Sequence, residues 1–123
     1  MTHGYQGAKH LRESAALSSI LEKQKAAKKL YGAVCASPAV VLAPQGLLVE
    51  SSPATCYPAP NFRETLKTVS DDKVVVADNV VTSQGPGTSL LFALSLGEQL
   101  FGKEVRTIRS DGCWFWLVLE IVC

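Results

Sequence analysis

Hydrophobic and polar residues alternate with a helical period in the first part of the chain. Apolar and small residues recur at this period from Ala8 to about Lys28, and lysine and glutamate fill the opposite face, which predicts one amphipathic helix. The apolar face consists of Leu11, Ala15, Ile20, Leu21, Gln24 and Ala27. The lysines that crowd its end are typical of a solvated helix C-terminus.

Runs of β-branched residues later in the chain predict a hairpin. Lys73–Val76 and Val80–Ser83 are rich in valine and are separated by three residues with turn-forming Asp78 and Asn79. Ahead of this hairpin the pattern predicts a short strand at Ala54–Tyr57, closed by a proline.

A glycine-rich turn and a helix follow the hairpin. The turn runs from Gln84 to Thr88, and either Thr88 or Ser89 is placed to cap a helix over Leu90–Phe101. Gly102 is a natural residue to end that helix. The turn lacks the lysine and the spacing of a phosphate-binding loop, so we interpret it as structural.

The segment around Cys35 has the strongest chemical signal. A short β-rich run ends at Cys35, and a small-residue segment typical of a short buried helix, Pro38–Leu42, follows at once. At such a strand-to-helix turn, main-chain N–H groups and the helix dipole favour a thiolate, and the N–H of Ala36 could stabilise an oxyanion. A buried cysteine that closes a core strand gives the same local pattern, so both interpretations stay open.

Composition excludes several classes of function. The 123 residues suffice for one small domain, and a formal net charge of +1 argues against binding to nucleic acid. The four cysteines have no zinc-type spacing, so we expect no metal and a reducing compartment. The sequence has no signal pattern and no apolar run of the roughly 20 residues that a membrane span needs. We therefore expect a cytoplasmic protein that binds neither nucleic acid nor membranes.

Three motifs in order resemble consecutive motifs of the DJ-1/PfpI family: YGAVCASPAVVLAPQGLL, ATCYP and VVTSQGPGTSLLFALSLGEQLFGKE. The resemblance extends from about Gly4 to Glu104. It implies an α/β fold, a partial flavodoxin-like doubly wound sheet of the class I glutamine amidotransferase-like type. The chain lacks the strand–helix units with which family members begin, so we expect a partial domain over 4–104 and a divergent apolar tail over 105–123.

The resemblance also assigns roles to residues. It implies that Cys35 is the nucleophile, that the main-chain N–H groups of Gly4 and Ala36 form the oxyanion site, and that Tyr57 stands where many relatives carry histidine. A phenol, with an ordinary pKa of about 10, is a poor base at neutral pH. The implied site loop consists of Ser37, Gln84, Gly85 and Pro86, with Gln84 at a position that is usually arginine.

The function implied by the family is cofactor-free chemistry on small reactive carbonyls. Cysteine attack on methylglyoxal or glyoxal gives a hemithioacetal that rearranges to a hydroxy acid, and deglycation of proteins and chaperone-like activity are also attributed to the family. The resemblance implies a homodimer or a family partner chain, and a nuclear or plastid location for a full-length relative.

Departures from the family leave three hypotheses open. The glutamate that tunes the family's cysteine has no counterpart, since Glu13 and Glu22 belong to the predicted amphipathic helix. Glyoxalase or deglycase activity is therefore expected to be impaired by the truncation. A redox-sensing or chaperone-like module without turnover, in which Cys35 passes through sulfenic and sulfinic states, is the first alternative. Cys56 could approach Cys35 as a resolving thiol, but the favoured interpretation of Cys56 is a second small core residue on a strand. A truncated product without a function of its own is the second.

Overall fold

The computed structural model describes residues 3–103, which fold as helices around a small mixed sheet; for His3 and Gly4 only the backbone is described. The elements in chain order are α1 (His3–Glu13), α2 (Ala15–Ala26), β1 (Tyr31–Val34), a π-helix (Pro38–Leu42), α3 (Pro60–Arg63), β2 (Val74–Ala77), β3 (Val80–Ser83), a 3₁₀ turn (Pro86–Thr88) and α4 (Ser89–Phe101). We call Pro38–Leu42 the elbow helix. The expected partial α/β fold is confirmed.

The sheet has the strand order β1-β3-β2. β3 pairs in parallel with β1, with Tyr31 opposite Val80, and antiparallel with β2, with Ala77 opposite Val80. The predicted hairpin is therefore confirmed, and Asp78 adopts a positive φ of 53° in its turn. All four residues of the central strand are buried, as expected for a strand with neighbours on both sides.

Helices lie on both faces of the sheet. On one face Tyr31 and Ala33 pack with Leu42 of the elbow helix and with Leu47 in a buried cluster. The Tyr31 hydroxyl donates to the Leu47 carbonyl at 2.5 Å, which satisfies its polar group inside that cluster. On the other face Gly32 lies against the Phe92 ring of α4. The end of β1 is thus fixed from both sides.

The single amphipathic helix predicted from Ala8 to Lys28 is wrong, because the helix breaks at Ser14. Ser14 has an extended ψ of 103°, and its hydroxyl accepts the N–H of Leu17 at 3.3 Å, as an N-cap of α2 does. The predicted apolar face is also largely uncovered. Ile20 is 58% exposed and Leu11 47%, and no residue of α2 is buried.

Two further predictions need correction. Ala54–Tyr57 is not a strand, because only Ala54 forms an isolated bridge, to Val69. Neither Thr88 nor Ser89 caps α4 with its side chain; both hydroxyls donate to the carbonyl of Gly85. The end of α4 is as predicted, with Gly102 at φ 89°. The predicted tail, 105–123, lies outside the described residues.

Candidate functional site

Cys35 lies directly after β1 in a left-handed backbone conformation, with φ 66°. A β-carbon makes this conformation unfavourable, so the surrounding structure must hold it. The N–H of Cys35 donates to the carbonyl of Ser83 at 3.0 Å, which continues the pairing of β1 with β3. Three residues later Pro38 occupies the first turn of the elbow helix. The sharp strand-to-helix turn expected for a nucleophile elbow is therefore present, and Cys35 is partly exposed at it.

The residue after Cys35 offers a main-chain donor. Ala36 is 4% exposed, and its carbonyl accepts the N–H groups of Ala39 and Val40. No acceptor among residues 3–103 takes the N–H of Ala36. A buried N–H next to a reactive sulfur can hydrogen-bond an oxyanion that develops on a substrate bound to that sulfur. Ser37 has helical dihedral angles, and its side chain makes no capping hydrogen bond.

Tyr57 is held beside Cys35 by its main chain. Its N–H donates to the Cys35 carbonyl at 2.8 Å. The residue is 41% exposed, and its ring packs edge-on against Phe62, with 6.2 Å between ring centroids. The ring also lies beside Gly85, since a β-carbon built there would be 3.7 Å from Tyr57 Cδ2. The structure thus places the Tyr57 ring beside Gly85 and the Tyr57 main chain beside Cys35.

Gly4 lies in the first turn of α1, where main-chain N–H groups have no partner within the helix. The neighbouring Tyr5 ring lies 6.0 Å from the Phe62 ring, the same ring that Tyr57 contacts. The start of α1 is therefore on the side of the molecule that carries Tyr57. The sequence analysis did not predict this cluster of three rings, Tyr5, Tyr57 and Phe62. The position of Phe62 shortly after the ATCYP motif was the only signal in the sequence.

The loop after β3 is held by one hydroxyl. Thr88 Oγ1 accepts the N–H of Gly85 at 3.0 Å and lies 2.6 Å from Ser83 Oγ. This network is buried and fixes Gly85 beside the Tyr57 ring. The sequence analysis identified Thr88 only as a helix cap and did not single out Ser83. A hydroxyl three residues after a turn glycine was the available signal.

Gln84 and Pro86 are the two neighbours of Gly85 in this loop. The Gln84 side-chain amide donates to the main-chain carbonyls of Asp71 and Asp72, at 2.9 and 3.1 Å, and so ties the start of the loop to the segment before β2. Pro86 is exposed and begins the 3₁₀ turn. The structure therefore gives Gln84 a structural role in the loop.

Cys56 is the second cysteine near the site. It is 1% exposed and packs among Ala39, Ala54 and Leu66. Burial raises the pKa of the Cys56 thiol; the positive charge of Arg63 lowers it, and the negative charge of an ionised Cys35 raises it further. Arg63 and Cys35 are therefore the charged groups that act on the Cys56 thiol.

A cavity of about 320 Å³ opens next to the elbow. Its lining includes Val34 and Ser37, which flank the Cys35 turn, and Phe92 of α4. The leucines Leu11, Leu17 and Leu21 of α1 and α2 also line it. This space is lined almost wholly by apolar side chains, so polar recognition of a ligand has to come from the elbow itself.

Residues 3–103 offer no candidate for two other kinds of site. No group of three or more histidine, cysteine, aspartate or glutamate side chains there could hold a metal ion. Over the same range no helix has both the length and the apolar character that a membrane crossing requires.

Comparison with known proteins identifies related sequences. The family model described as DJ-1/PfpI family matches residues 2–99. The protein DJ-1 homolog B of Arabidopsis thaliana is 44% identical over 101 residues, which is 82% of this chain and 23% of that protein. The glutathione-independent glyoxalase DJR-1.2 of Caenorhabditis elegans is 38% identical over 103 residues, with coverage of 82% and 54%. The chain thus spans between about a quarter and a half of these relatives.

Solved structures agree with the sequence comparison. Oxidized Toxoplasma gondii DJ-1 matches with a TM-score of 0.78 and 39% identity, over 85% of this chain and 56% of that one. DJ-1beta of Drosophila melanogaster matches with a TM-score of 0.74 and 36% identity, over 87% and 57%. The small sheet and its helices therefore correspond to part of a larger α/β fold in both structures.

Proposed function

The chain belongs to the DJ-1/PfpI family, and from this premise we propose that it is a cysteine-dependent protein of the glyoxalase and deglycase type that acts on methylglyoxal or glyoxal without a cofactor. One observation carries the proposal: Cys35 stands at a left-handed strand-to-helix turn with the buried N–H of Ala36 beside it. A relative named as a glutathione-independent glyoxalase supports the choice of substrate class.

The proposed reaction begins with the Cys35 sulfur. It adds to the aldehyde carbon of methylglyoxal, and the carbonyl oxygen takes up negative charge as the C–S bond forms. The N–H of Ala36, and that of Gly4 at the start of α1, stabilise this oxygen before it is protonated to a hemithioacetal. Hydrogen transfer between the two substrate carbons gives a thioester, and water releases lactate and the free thiol.

We expect slow turnover. The two carboxylates that precede Cys35 in the sequence, Glu13 and Glu22, are exposed on α1 and α2 and do not serve the elbow. Tyr57, at the position of the family histidine, has its ring against Phe62. Solvent therefore has to carry the protons that a positioned acid or base would move, and such a group typically contributes about 10²–10⁴-fold to a rate.

The proposal is tested by lactate formation from methylglyoxal in the absence of glutathione. We expect slow turnover in the wild type, none in Cys35→Ser, and an unchanged rate in Cys113→Ser, which controls for removal of a thiol elsewhere. Equal rates in the wild type and Cys35→Ser would refute cysteine catalysis. Absence of lactate from all three would refute the glyoxalase activity itself.

Exposed apolar side chains favour a second candidate, a chaperone-like module. Ile20 is 58% exposed, Leu100 61% and Phe101 73%. Such residues can bind the apolar surface of an unfolded protein. We expect the chain to slow the aggregation of a heat-denatured client protein by light scattering, and Ile20→Ser with Phe101→Ser to weaken this effect while Cys35→Ser does not. An undiminished effect of the double variant would exclude this surface.

A further inference from the structure

A main-chain hydrogen bond holds the segment of Cys56 beside Cys35. The Cys35 carbonyl accepts the N–H of Tyr57 at 2.8 Å. This hydrogen bond joins the carbonyl of Cys35 to the peptide bond between Cys56 and Tyr57, so the Cα atom of each cysteine lies next to one of its two ends. Disulfides join residues whose Cα atoms are roughly 4.4–6.8 Å apart, a separation that one such main-chain hydrogen bond allows.

The two thiols differ in their access to solvent. Cys35 is partly exposed at the elbow, whereas Cys56 is 1% exposed and is surrounded by Ala39, Ala54 and Leu66. A dissolved oxidant can therefore reach Cys35 first. Cys56 can be oxidised in the folded chain only through a sulfur that lies next to it.

We propose that Cys56 is the resolving thiol of Cys35, and that a hydroperoxide converts the pair into an intramolecular disulfide. The Cys35 sulfur attacks one peroxide oxygen, the O–O bond breaks, and the sulfur becomes a sulfenic acid while hydrogen peroxide is reduced to water. The Cys56 sulfur then attacks the Cys35 sulfur, the S–O bond breaks, and a second water leaves with the proton of Cys56. Two thiols and one peroxide thus give one disulfide and two waters.

The electrostatics of the pair fit this order of events. Burial raises the pKa of Cys56, the charge of Arg63 lowers it, and the negative charge of an ionised Cys35 raises it again. Conversion of Cys35 to the uncharged sulfenic acid removes the last of these effects. The pKa of Cys56 then falls, which favours the thiolate needed for the second step.

The disulfide decides whether oxidation of Cys35 is reversible. A sulfenic acid without a resolving thiol reacts with further peroxide to give sulfinic acid, which ordinary thiol reductants do not reverse. A disulfide to Cys56 is reversed by dithiothreitol. The proposal therefore makes oxidation of the elbow reversible and limits it to one peroxide per chain.

Mass spectrometry of the full chain tests the disulfide. Cleavage after Lys29 and Arg63 by trypsin leaves both cysteines on one peptide, and cleavage after Glu50 by a glutamate-specific protease separates them. After one equivalent of hydrogen peroxide and alkylation of free thiols, we expect the 30–63 peptide to be lighter by two hydrogen atoms and unalkylated. Its two halves should separate after the second cleavage only when dithiothreitol is added.

Two variants sharpen the test. In Cys56→Ala we expect the disulfide to be lost and Cys35 to accumulate as sulfinic acid, whereas the control Cys113→Ala should behave as the wild type. Sulfinic acid at Cys35 in the wild type to the same extent as in Cys56→Ala would overturn the proposal, as would a disulfide from Cys35 to Cys113 or Cys123. The wild-type mass decides the matter even where Cys56→Ala unfolds. The readout is independent of methylglyoxal turnover, so failure of the proposed function and failure of this inference are distinguishable.

Discussion

The left-handed backbone conformation of Cys35 is sterically unfavourable, and two main-chain hydrogen bonds stabilise it. Its N–H is bound to Ser83 of β3, and its carbonyl to the N–H of Tyr57. The two bonds join Cys35 to two different segments of the chain, β3 and the ATCYP segment, and so hold its backbone in this conformation. β3 and the ATCYP segment therefore hold the strained backbone conformation in which the Cys35 thiol is partly exposed.

That strain predicts an unusual order of stability among variants. Glycine accommodates a φ of 66° without the steric cost of a β-carbon. We therefore expect Cys35→Gly to exceed Cys35→Ala in free energy of unfolding by about 1 kcal/mol, although alanine removes less of the side chain. Urea denaturation of both variants measures this difference, and Asp78→Gly against Asp78→Ala, at φ 53°, is the matched control. A Cys35→Ala variant as stable as Cys35→Gly would show that the elbow is unstrained.

Two buried threonines make a second pair of opposite predictions. Thr82 Oγ1 accepts the N–H of Thr55 at 3.0 Å and so ties the segment that carries Cys56 to β3, whereas the hydroxyl of Thr55 is buried without a partner among the described residues. We expect Thr82→Val to lower the free energy of unfolding by about 1–3 kcal/mol, because it orphans a buried donor. Thr55→Val removes an unsatisfied hydroxyl and should be neutral or stabilising. Thermal denaturation of the two variants tests the contrast, which equal losses would contradict.

At the scale of elements, the close contact of β1 with α4 sets the position of the elbow. A β-carbon at Gly32 would lie 2.7 Å from the Val81 carbonyl oxygen and 3.0 Å from Phe92 Cζ. The first of these atoms is main chain in the central strand and cannot move aside. β1 can therefore lie this close to its neighbours only with glycine at this position.

We expect Gly32→Ala to destabilise the fold by about 1–3 kcal/mol, because the added methyl group has no room. Gly97→Ala is the matched control, since nothing lies within 4 Å of a β-carbon there and the residue is inside α4. Alanine in a helix interior should stabilise by roughly 0.5–1 kcal/mol. Chemical denaturation of both gives the sign of each change. A stable Gly32→Ala protein would mean that β1 and α4 can separate without cost.

Elements defined by neighbouring residues could be predicted from the sequence, and those that depend on distant contacts could not. The hairpin and the elbow follow from valine runs, turn residues and a proline close to each other in the chain. The break at Ser14 could not be predicted from periodicity, because the helical period continues through it. Only the N-cap hydrogen bond from Leu17 N–H to the Ser14 hydroxyl shows that a new helix begins there. The ATCYP segment has strand-like residues, yet Thr82 holds it through a side chain, which no periodic pattern encodes.

At the scale of the whole molecule, the two parts of the proposed oxyanion site belong to regions of different burial. Cys35 and Ala36 follow a sheet in which Val81 and Ser83 are completely buried. Gly4 belongs to α1, in which Ala8 is buried, and α1 is followed after the break at Ser14 by α2, a helix without any buried residue. Local stability follows buried contact, so the α1–α2 segment should open more readily than the sheet. The N–H of Gly4 is then the part of the site that is lost first.

Amide hydrogen exchange can detect this difference. We expect the amides of α2 to exchange far faster than those of β3, and Ser14→Ala, which removes the N-cap at a cost of about 1 kcal/mol, to speed exchange in α2 while β3 is unchanged. Ser18→Ala is the control, because its hydroxyl only bonds the Ser14 carbonyl within the same helix. Equal loss of protection in β3 and α2 would mean that the described residues unfold as one unit. In that case the donor on α1 would be as stable as the elbow, and slow turnover would have to come from proton transfer alone.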